Sequence, residues 1–263
     1  MKTQNYQTLT ETALSNEQLS SEDCLNILTN PDIDILSLVH AAYAVRKEHW
    51  GKDVSIHILN NAQNGACPED CAYCAQAKTS KSDINKYPAK EEDEMLAEAK
   101  RAYENGAFRY CMVYSGRGPR KKRIEKLSGI IRKIKDNYPI EVCLSPGLID
   151  AEDAETLKAA GLDRFNHNLN TSKTYYDKIC TTHTYEDRLN TLKSVQKAGI
   201  GMCSGIIVGM GESSEDIVEV ALKLRELKSN SIPVNFYMPI PGNTMGQKNP
   251  LTPEYCLRVL CLF

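Results

Sequence analysis

From residue 54 onward the chain alternates short β-like runs with amphipathic helical stretches, and that alternation restricts its fold more than any other feature. The runs are VSIHILNNA (54–62), RYCMVYSG (109–116), IEVCLSPG (140–147), RFNHNLN (164–170), GMCSGIIVG (201–209) and IPVNFYMP (232–239). Helical patterns follow them at 91–107, 121–137, 151–160, 184–198 and 214–229, and the chain closes on the apolar TPEYCLRVLCLF. Strand alternating with helix at this period implies parallel β/α units joined by right-handed crossovers. Six such units are counted. Residues 1–45 read instead as a helical extension, with apolar residues at three- and four-residue steps in SNEQLSSEDCLNILTN and PDIDILSLVHAAYAVRKEHWG. The expected organisation is therefore an extension at 1–45 and a barrel domain at 46–263.

The faces of the strands decide between an open sheet and a barrel. Tyr110, Met112 and Tyr114 alternate with Arg109, Cys111, Val113 and Ser115, and Ile140, Val142 and Leu144 with Glu141, Cys143 and Ser145. Phe165, His167 and Leu169 oppose Arg164, Asn166, Asn168 and Asn170; Cys203 shares a face with Gly205 and Ile207; Asn235 and Tyr237 oppose Val234 and Phe236. A doubly wound sheet buries both faces of its central strands, which then read as continuous apolar runs. One apolar and one polar face per strand favours a (β/α)8 TIM-type barrel, with a helix-covered outside and room inside for a ligand or cluster. On the second, third and fifth strands a cysteine faces that interior.

The chain holds 10 cysteines among 263 residues. Its N-terminal stretch lacks an apolar signal core, and no apolar run approaches the roughly 18–20 residues that span a bilayer, so a cytoplasmic protein with reduced thiols and no membrane contact is expected. A net charge of -2 leaves no footprint for nucleic acid, and RGPRKKR (117–123) reads as a solvated helix start. In ACPEDCAYCAQ (66–76), directly after the first strand, Cys67, Cys71 and Cys74 can converge on one object from a single loop. Soft thiolates take zinc or an iron–sulfur cluster. Structural zinc usually has four protein ligands and no partner pair follows downstream, so three ligands favour a cubane cluster with one open iron.

CxxxCxxC with an aromatic before the third cysteine, here Tyr73, resembles the signature of the radical S-adenosylmethionine superfamily. That resemblance implies that Cys67, Cys71 and Cys74 ligate a [4Fe-4S] cluster whose open iron chelates S-adenosylmethionine. GIIVGMGE (205–212) is similar to the superfamily's fifth-strand element beside the adenosine, and points to Gly205 and Gly209 as cofactor contacts. GACPEDCAYCAQ, RYCMVYSGRGP, RFNHNLNTS, CTTHTYEDRLNTL and CSGIIVGMGE resemble, in order and spacing, motifs of the biotin synthase family. The family implies a sulfurtransferase that converts dethiobiotin to biotin, drawing sulfur from an auxiliary [2Fe-2S] cluster on Cys111, Cys143 and Cys203. It further implies that Asn168 and Asn170 reach the ribose, Asn168 also the substrate, that Arg188 meets the cofactor carboxylate, and that Asn235 lines the substrate pocket. An electron donor such as flavodoxin or ferredoxin and a homodimer belong to the same expectation. His167 falls on the helix-facing parity and is read as a structural histidine with its bonds satisfied. Cys24, Cys180, Cys256 and Cys261 are placed in helices without a role.

A full barrel has eight strands and six are counted, so a C-terminally truncated form is expected. Some relatives carry aspartate where this chain has Asn170, which weakens the expected ribose contact. In the well-known members an arginine on the last strand is the fourth ligand of the second cluster. Arg258, in the sixth helix outside the wall, does not replace it. An open edge of this kind predicts low stability, association through the edge and an altered second cluster. Two alternatives stay open: another radical S-adenosylmethionine enzyme on the same barrel, and a non-catalytic iron–sulfur or zinc-binding fragment. Lipoyl synthase is disfavoured because its additional cysteine cluster is missing from the N-terminal region.

Overall fold

Residues 5–246, 248 and 251–263 are described by the computed structural model. Three helices come first: α1 (Tyr6–Leu14), α2 (Ser21–Thr29) and α3 (Ile35–Trp50). The alternating part then runs β1 (His57–Gln63), α4 (Glu92–Glu104), β2 (Arg109–Tyr114), α5 (Lys121–Asn137), β3 (Glu141–Ser145) and α6 (Ala151–Ala159). It continues with β4 (Arg164–Asn166), α7 (Tyr185–Lys197), β5 (Gly201–Cys203), β6 (Ile206–Val208), α8 (Ser214–Glu226), β7 (Val234–Phe236) and α9 (Pro253–Leu262). The helix starts are written locally: Asp150, Thr184 and Ser213 each close a capping box with Asp153, Asp187 and Asp216. Each box satisfies backbone N–H groups that a helix start would otherwise leave unpaired.

β1 to β5 form one parallel sheet in sequence order, and β6 pairs with β7, also in parallel. Bridges between Asn170 and Ile206 and between Cys203 and Ser231 join the two pieces into one curved wall. GMCSGIIVG, expected as a single strand, is divided into β5 and β6 by Ser204 and Gly205. The chain packs closely at this point: a Cβ on Gly205 would lie 1.9 Å from the carbonyl oxygen of Pro233, so only glycine fits. Six β/α units are therefore present, as the alternation predicts, and the wall is a partial TIM-type barrel. Among the described residues β1 pairs with β2 alone and β7 with β6 alone.

The outer face carries the core. Tyr110, Met112, Val142, Leu144 and Phe165 are buried beneath Ile124, Leu127, Ile131 and Ile134 of α5 and Leu157 of α6. At about 25 cal/mol per Å² of apolar area, this helix-to-strand layer is the main contribution to stability. The N-terminal helices pack on the far side of the molecule, where α2 and α3 meet α9 and α2 meets α8. Arg258 lies there in α9, bonded to Glu254 and to the Asn30 carbonyl, outside the wall as expected. A groove between β1 and α4, lined by Asn60, Lys90 and Tyr110, is also outside the wall and holds no thiol.

The end of NHNLNTS fastens the loop after β4 to α8. Ser172 and Thr174 donate their hydroxyls to Asp216, which also accepts from the Ser213 N–H. Burial pushes this carboxyl up, but the donated hydrogen bonds outweigh it and leave Asp216 below the ordinary carboxylate value. A depressed folded pKa contributes stability above the unfolded value and loses it as pH falls through the folded one. Asp216→Asn is thus expected to cost about 1–2 kcal/mol at neutral pH. The deficit relative to the parent should close below about pH 4, which urea unfolding at two pH values would reveal.

Candidate active site

The loop that follows β1 carries Cys67, Cys71 and Cys74 at the C-terminal mouth of the wall, where barrel enzymes assemble their chemistry. Its backbone is stapled from both sides. Ala72 N donates to the Ile179 carbonyl at 2.8 Å, and Asn243 Nδ2 donates to the Tyr73 carbonyl at 2.8 Å. Asp70 accepts from the backbone of Thr181 at 2.9 Å and Thr182 at 3.2 Å, while Glu69 accepts from the Thr182 hydroxyl at 2.6 Å. His183 completes the clamp, with Nδ1 2.5 Å from Glu69 Oε2.

The clamp runs on into the barrel. Arg188 Nη2 lies 2.9 Å from His183 Nε2, Nη1 donates to the Asn168 carbonyl at 2.8 Å, and Nε donates to the Tyr176 hydroxyl. Arg188 is buried in this network at 8% exposure rather than lying on the surface of α7. Asn170, in the left-handed region at φ 71°, donates to the Tyr73 hydroxyl at 2.7 Å. The structure thus brings Tyr73, Asn168, Asn170 and Arg188 together beside the cysteine loop. Asn235 stands apart and exposed on β7, its Nδ2 reaching the Ile206 carbonyl at 3.4 Å. Gly209, at φ +98°, ends β6, and its N–H and that of Met210 donate to Glu212 at 2.6 and 2.8 Å.

The second trio lies deeper. Cys111 and Cys143 are direct partners across the β2–β3 register, and Cys203 is paired with Asn166 across β4–β5. A hydrogen bond between Cys111 and Cys143 draws Cys111 below the ordinary thiol value and holds Cys143 protonated; the field of Cys203 raises Cys143, and that of Cys111 raises Cys203. Asn166 Nδ2 donates to Cys203 Sγ at 3.2 Å. Arg109, buried and ion-paired with Glu141 at 2.7 Å, turns a positive charge toward all three thiols and favours their thiolate forms.

The residues present fit two thiolate-held clusters. Burial pushes up the Cys67 and Cys74 thiols, and the contact with Cys180 together with burial does the same to Cys71. Three thiols kept neutral on one loop give up their protons when a cationic centre arrives to replace them. Inside the wall, Asn168 Oδ1 and Asn61 Oδ1 are buried acceptors without a partner among the described residues. An unpaired buried acceptor costs about 1–3 kcal/mol, a cost that a hydroxyl or amide N–H of a bound molecule removes.

Several of these residues had not been singled out as functional. Arg109 and Asn166 share the inward parity of the cysteines, which was the available signal. Glu69, Asp70, Thr181, Thr182 and Glu212 act through contacts that local pattern does not carry. Two expectations are corrected. Cys180 follows a 3-10 turn at Tyr176–Lys178 and sits in a loop, not a helix, because Asp70 takes the N–H groups that would extend the turn. His167 is buried but its Nε2 has no partner among the described residues, and burial keeps the ring neutral.

Residues 64–224 match the model of the Radical SAM superfamily. A biotin synthase of Magnetococcus marinus is 55% identical over 255 residues, which cover 97% of this chain and 79% of that protein. A biotin synthase of Acaryochloris marina is 52% identical over 250 residues, covering 95% and 72%. Among solved structures, methylornithine synthase (PylB) superposes with a TM-score of 0.84 at 19% identity, over 97% of this chain and 76% of that one. The FeFe-hydrogenase maturase HydG from Carboxydothermus hydrogenoformans gives 0.82 at 18% identity, over 98% and 62%. The two structures bear on the fold alone. With the two thiol trios, the superfamily match and relatives more than half identical over nearly its whole length, this chain belongs to the biotin synthase family of radical S-adenosylmethionine enzymes.

Proposed function

We propose that this chain inserts sulfur into dethiobiotin, with Cys67, Cys71 and Cys74 holding a [4Fe-4S] cluster and Cys111, Cys143 and Cys203 holding an auxiliary [2Fe-2S] cluster that donates the sulfur. The observation that carries this reading is the division of six thiols between two places in one barrel, a loop at the mouth and the inner faces of β2, β3 and β5. With these groups bound, the chemistry supplied is one-electron cleavage of S-adenosylmethionine to a 5'-deoxyadenosyl radical, hydrogen abstraction from two unactivated carbons of dethiobiotin, and sulfur transfer. Such C–H bonds are too weakly acidic for a general base, which accounts for a radical route.

The residues themselves bind, orient and exclude water. Asn170 donates to the Tyr73 hydroxyl and so ties the cysteine loop to the segment that follows β4. Asn168 offers its free Oδ1 to the ribose or to substrate, and Arg188, held at three points, presents fixed positive charge toward the cofactor carboxylate. Gly205 and Gly209 leave the wall bare beside the adenosine, and Asn235 closes the substrate side. Arg109 favours ionised sulfur at the second trio. A one-electron donor of the flavodoxin or ferredoxin type and a homodimer complete the reading.

The test is anaerobic cluster reconstitution with iron and sulfide analysis, then incubation with reductant, S-adenosylmethionine and dethiobiotin. Biotin together with 5'-deoxyadenosine is the expected outcome. Production of 5'-deoxyadenosine without biotin would instead assign the chain to another radical enzyme on this barrel. Metal binding without either product would mark a non-catalytic fragment.

A further inference from the structure

Cys180 belongs to neither thiol trio, yet it sits against both the cysteine loop and the clamp that holds it. Its sulfur, the Cys71 sulfur and a ring nitrogen of His183 all lie within 4.8 Å of one another, and all three residues are buried. We propose that in the cluster-free chain Cys71, Cys180 and His183 form a mononuclear site for a zinc-class divalent cation, with solvent as the fourth ligand.

Two of the separations match a tetrahedral ligand set. Cys71 Sγ and Cys180 Sγ are 3.7 Å apart; a tetrahedral zinc ion with bonds of about 2.3 Å to sulfur holds two sulfurs about 3.8 Å apart. Cys180 Sγ lies 3.8 Å from His183 Nε2, against about 3.6 Å for a sulfur and a nitrogen on one such ion. Asp70 Oδ1 accepts from Cys180 Sγ at 3.3 Å and holds that sulfur in place beside the loop.

The tautomer of His183 also fits. A guanidinium only donates, so the Arg188 contact makes Nε2 an acceptor and places the imidazole proton on Nδ1, where Glu69 receives it. A metal-bound imidazole backed by a carboxylate on its other nitrogen is a common outer-shell arrangement. Binding at Nε2 displaces one of the Arg188 bonds and leaves those to Asn168 and Tyr176 in place. Each thiol releases its proton to solvent as its sulfur bonds to the ion, so no redox change occurs. Because Cys71 serves both sets, cation and [4Fe-4S] cluster exclude one another; this last clause alone rests on the function proposed above.

The experiment is titration of the cluster-free full chain with cobalt(II), a spectroscopic stand-in for zinc, under anaerobic conditions. Expected are one equivalent bound, a thiolate-to-cobalt charge-transfer band, tetrahedral ligand-field bands, and displacement by zinc. X-ray absorption of the zinc form should give two sulfur and two nitrogen or oxygen neighbours. Replacing Cys67 and Cys74 together with alanine should leave the spectrum unchanged, whereas Cys180→Ala and His183→Gln should each weaken binding by about 100-fold. A three-sulfur shell, undiminished binding in Cys180→Ala, or no thiolate band in the parent chain overturns the site. The X-ray absorption and titration of the parent chain need no variant to fold. Zinc-loaded chain should also refuse the [4Fe-4S] cluster; a cluster that assembles with zinc retained would refute the sharing of Cys71, whatever the biotin assay gives.

Discussion

Replacing Cys111, Cys143 and Cys203 together with alanine is expected to abolish biotin formation while sparing cleavage of S-adenosylmethionine. The three thiols point inward from β2, β3 and β5, and Cys111 faces Cys143 directly across the register. Among the described residues none of them is hydrogen-bonded to the loop bearing Cys67, Cys71 and Cys74, whose supports are Asp70, Glu69, Tyr73 and Asn243. The radical-generating half should therefore persist, with the iron and sulfide of a [4Fe-4S] cluster alone and with 5'-deoxyadenosine still formed. Biotin should fall by about 10³-fold or more, because removing the sulfur donor leaves no partial route to product. Small buried residues are being shortened, at a cost of about 1 kcal/mol each. That total is below the 5–15 kcal/mol typical of a folded domain, so circular dichroism should be near that of the parent. Biotin formed at the parental rate would remove these cysteines from the sulfur-donor role.

Much of the geometry behind that prediction was legible because strand parity and helix caps are local properties. Alternation in RYCMVYSG and IEVCLSPG is enough to place Cys111 and Cys143 on one face, and the register then makes them neighbours. The same parity put Asn168 and Asn170 inward, and both lie beside Tyr73 and Arg188. What stayed hidden depends on contacts between distant segments. Asp70 meets Thr181 across 111 residues, and only that meeting explains why TTH follows Cys180 as a loop. The break in GMCSGIIVG is likewise hidden, since the pattern of that stretch is continuous and the approach of Pro233 to Gly205 is a contact between distant segments. His167 was misread because parity reports which face a residue takes and says nothing of whether its ring nitrogens find partners.

The close packing at Gly205 leads to the largest expected effect on stability. A Cβ at this position would stand 1.9 Å from the Pro233 carbonyl oxygen and 2.8 Å from the carbonyl carbon, both backbone atoms. Neither can swing away as the end of a side chain would. Relief requires β6 to part from β7, and two ladder bonds meet at this point: Ile206 N to the Pro233 carbonyl and Asn170 N to the Gly205 carbonyl, each 3.0 Å. Gly205→Ala is therefore expected to destabilise the chain by at least about 4 kcal/mol, in the range reserved for strain that cannot relax. For a chain of this size the melting temperature should drop by roughly 10 °C. Gly129 provides the contrast, since it lies within α5 and a Cβ there would meet nothing within 4 Å. Gly129→Ala should stabilise by about 0.4–1 kcal/mol through reduced freedom of the unfolded chain. Equal melting temperatures for the two variants would mean that the wall does not close at Gly205 as described. Because Asn170 is held by that same carbonyl and in turn holds Tyr73, the damage should reach the mouth of the barrel. Folded Gly205→Ala protein should bind S-adenosylmethionine more weakly than Gly129→Ala, even before any cluster chemistry is compared.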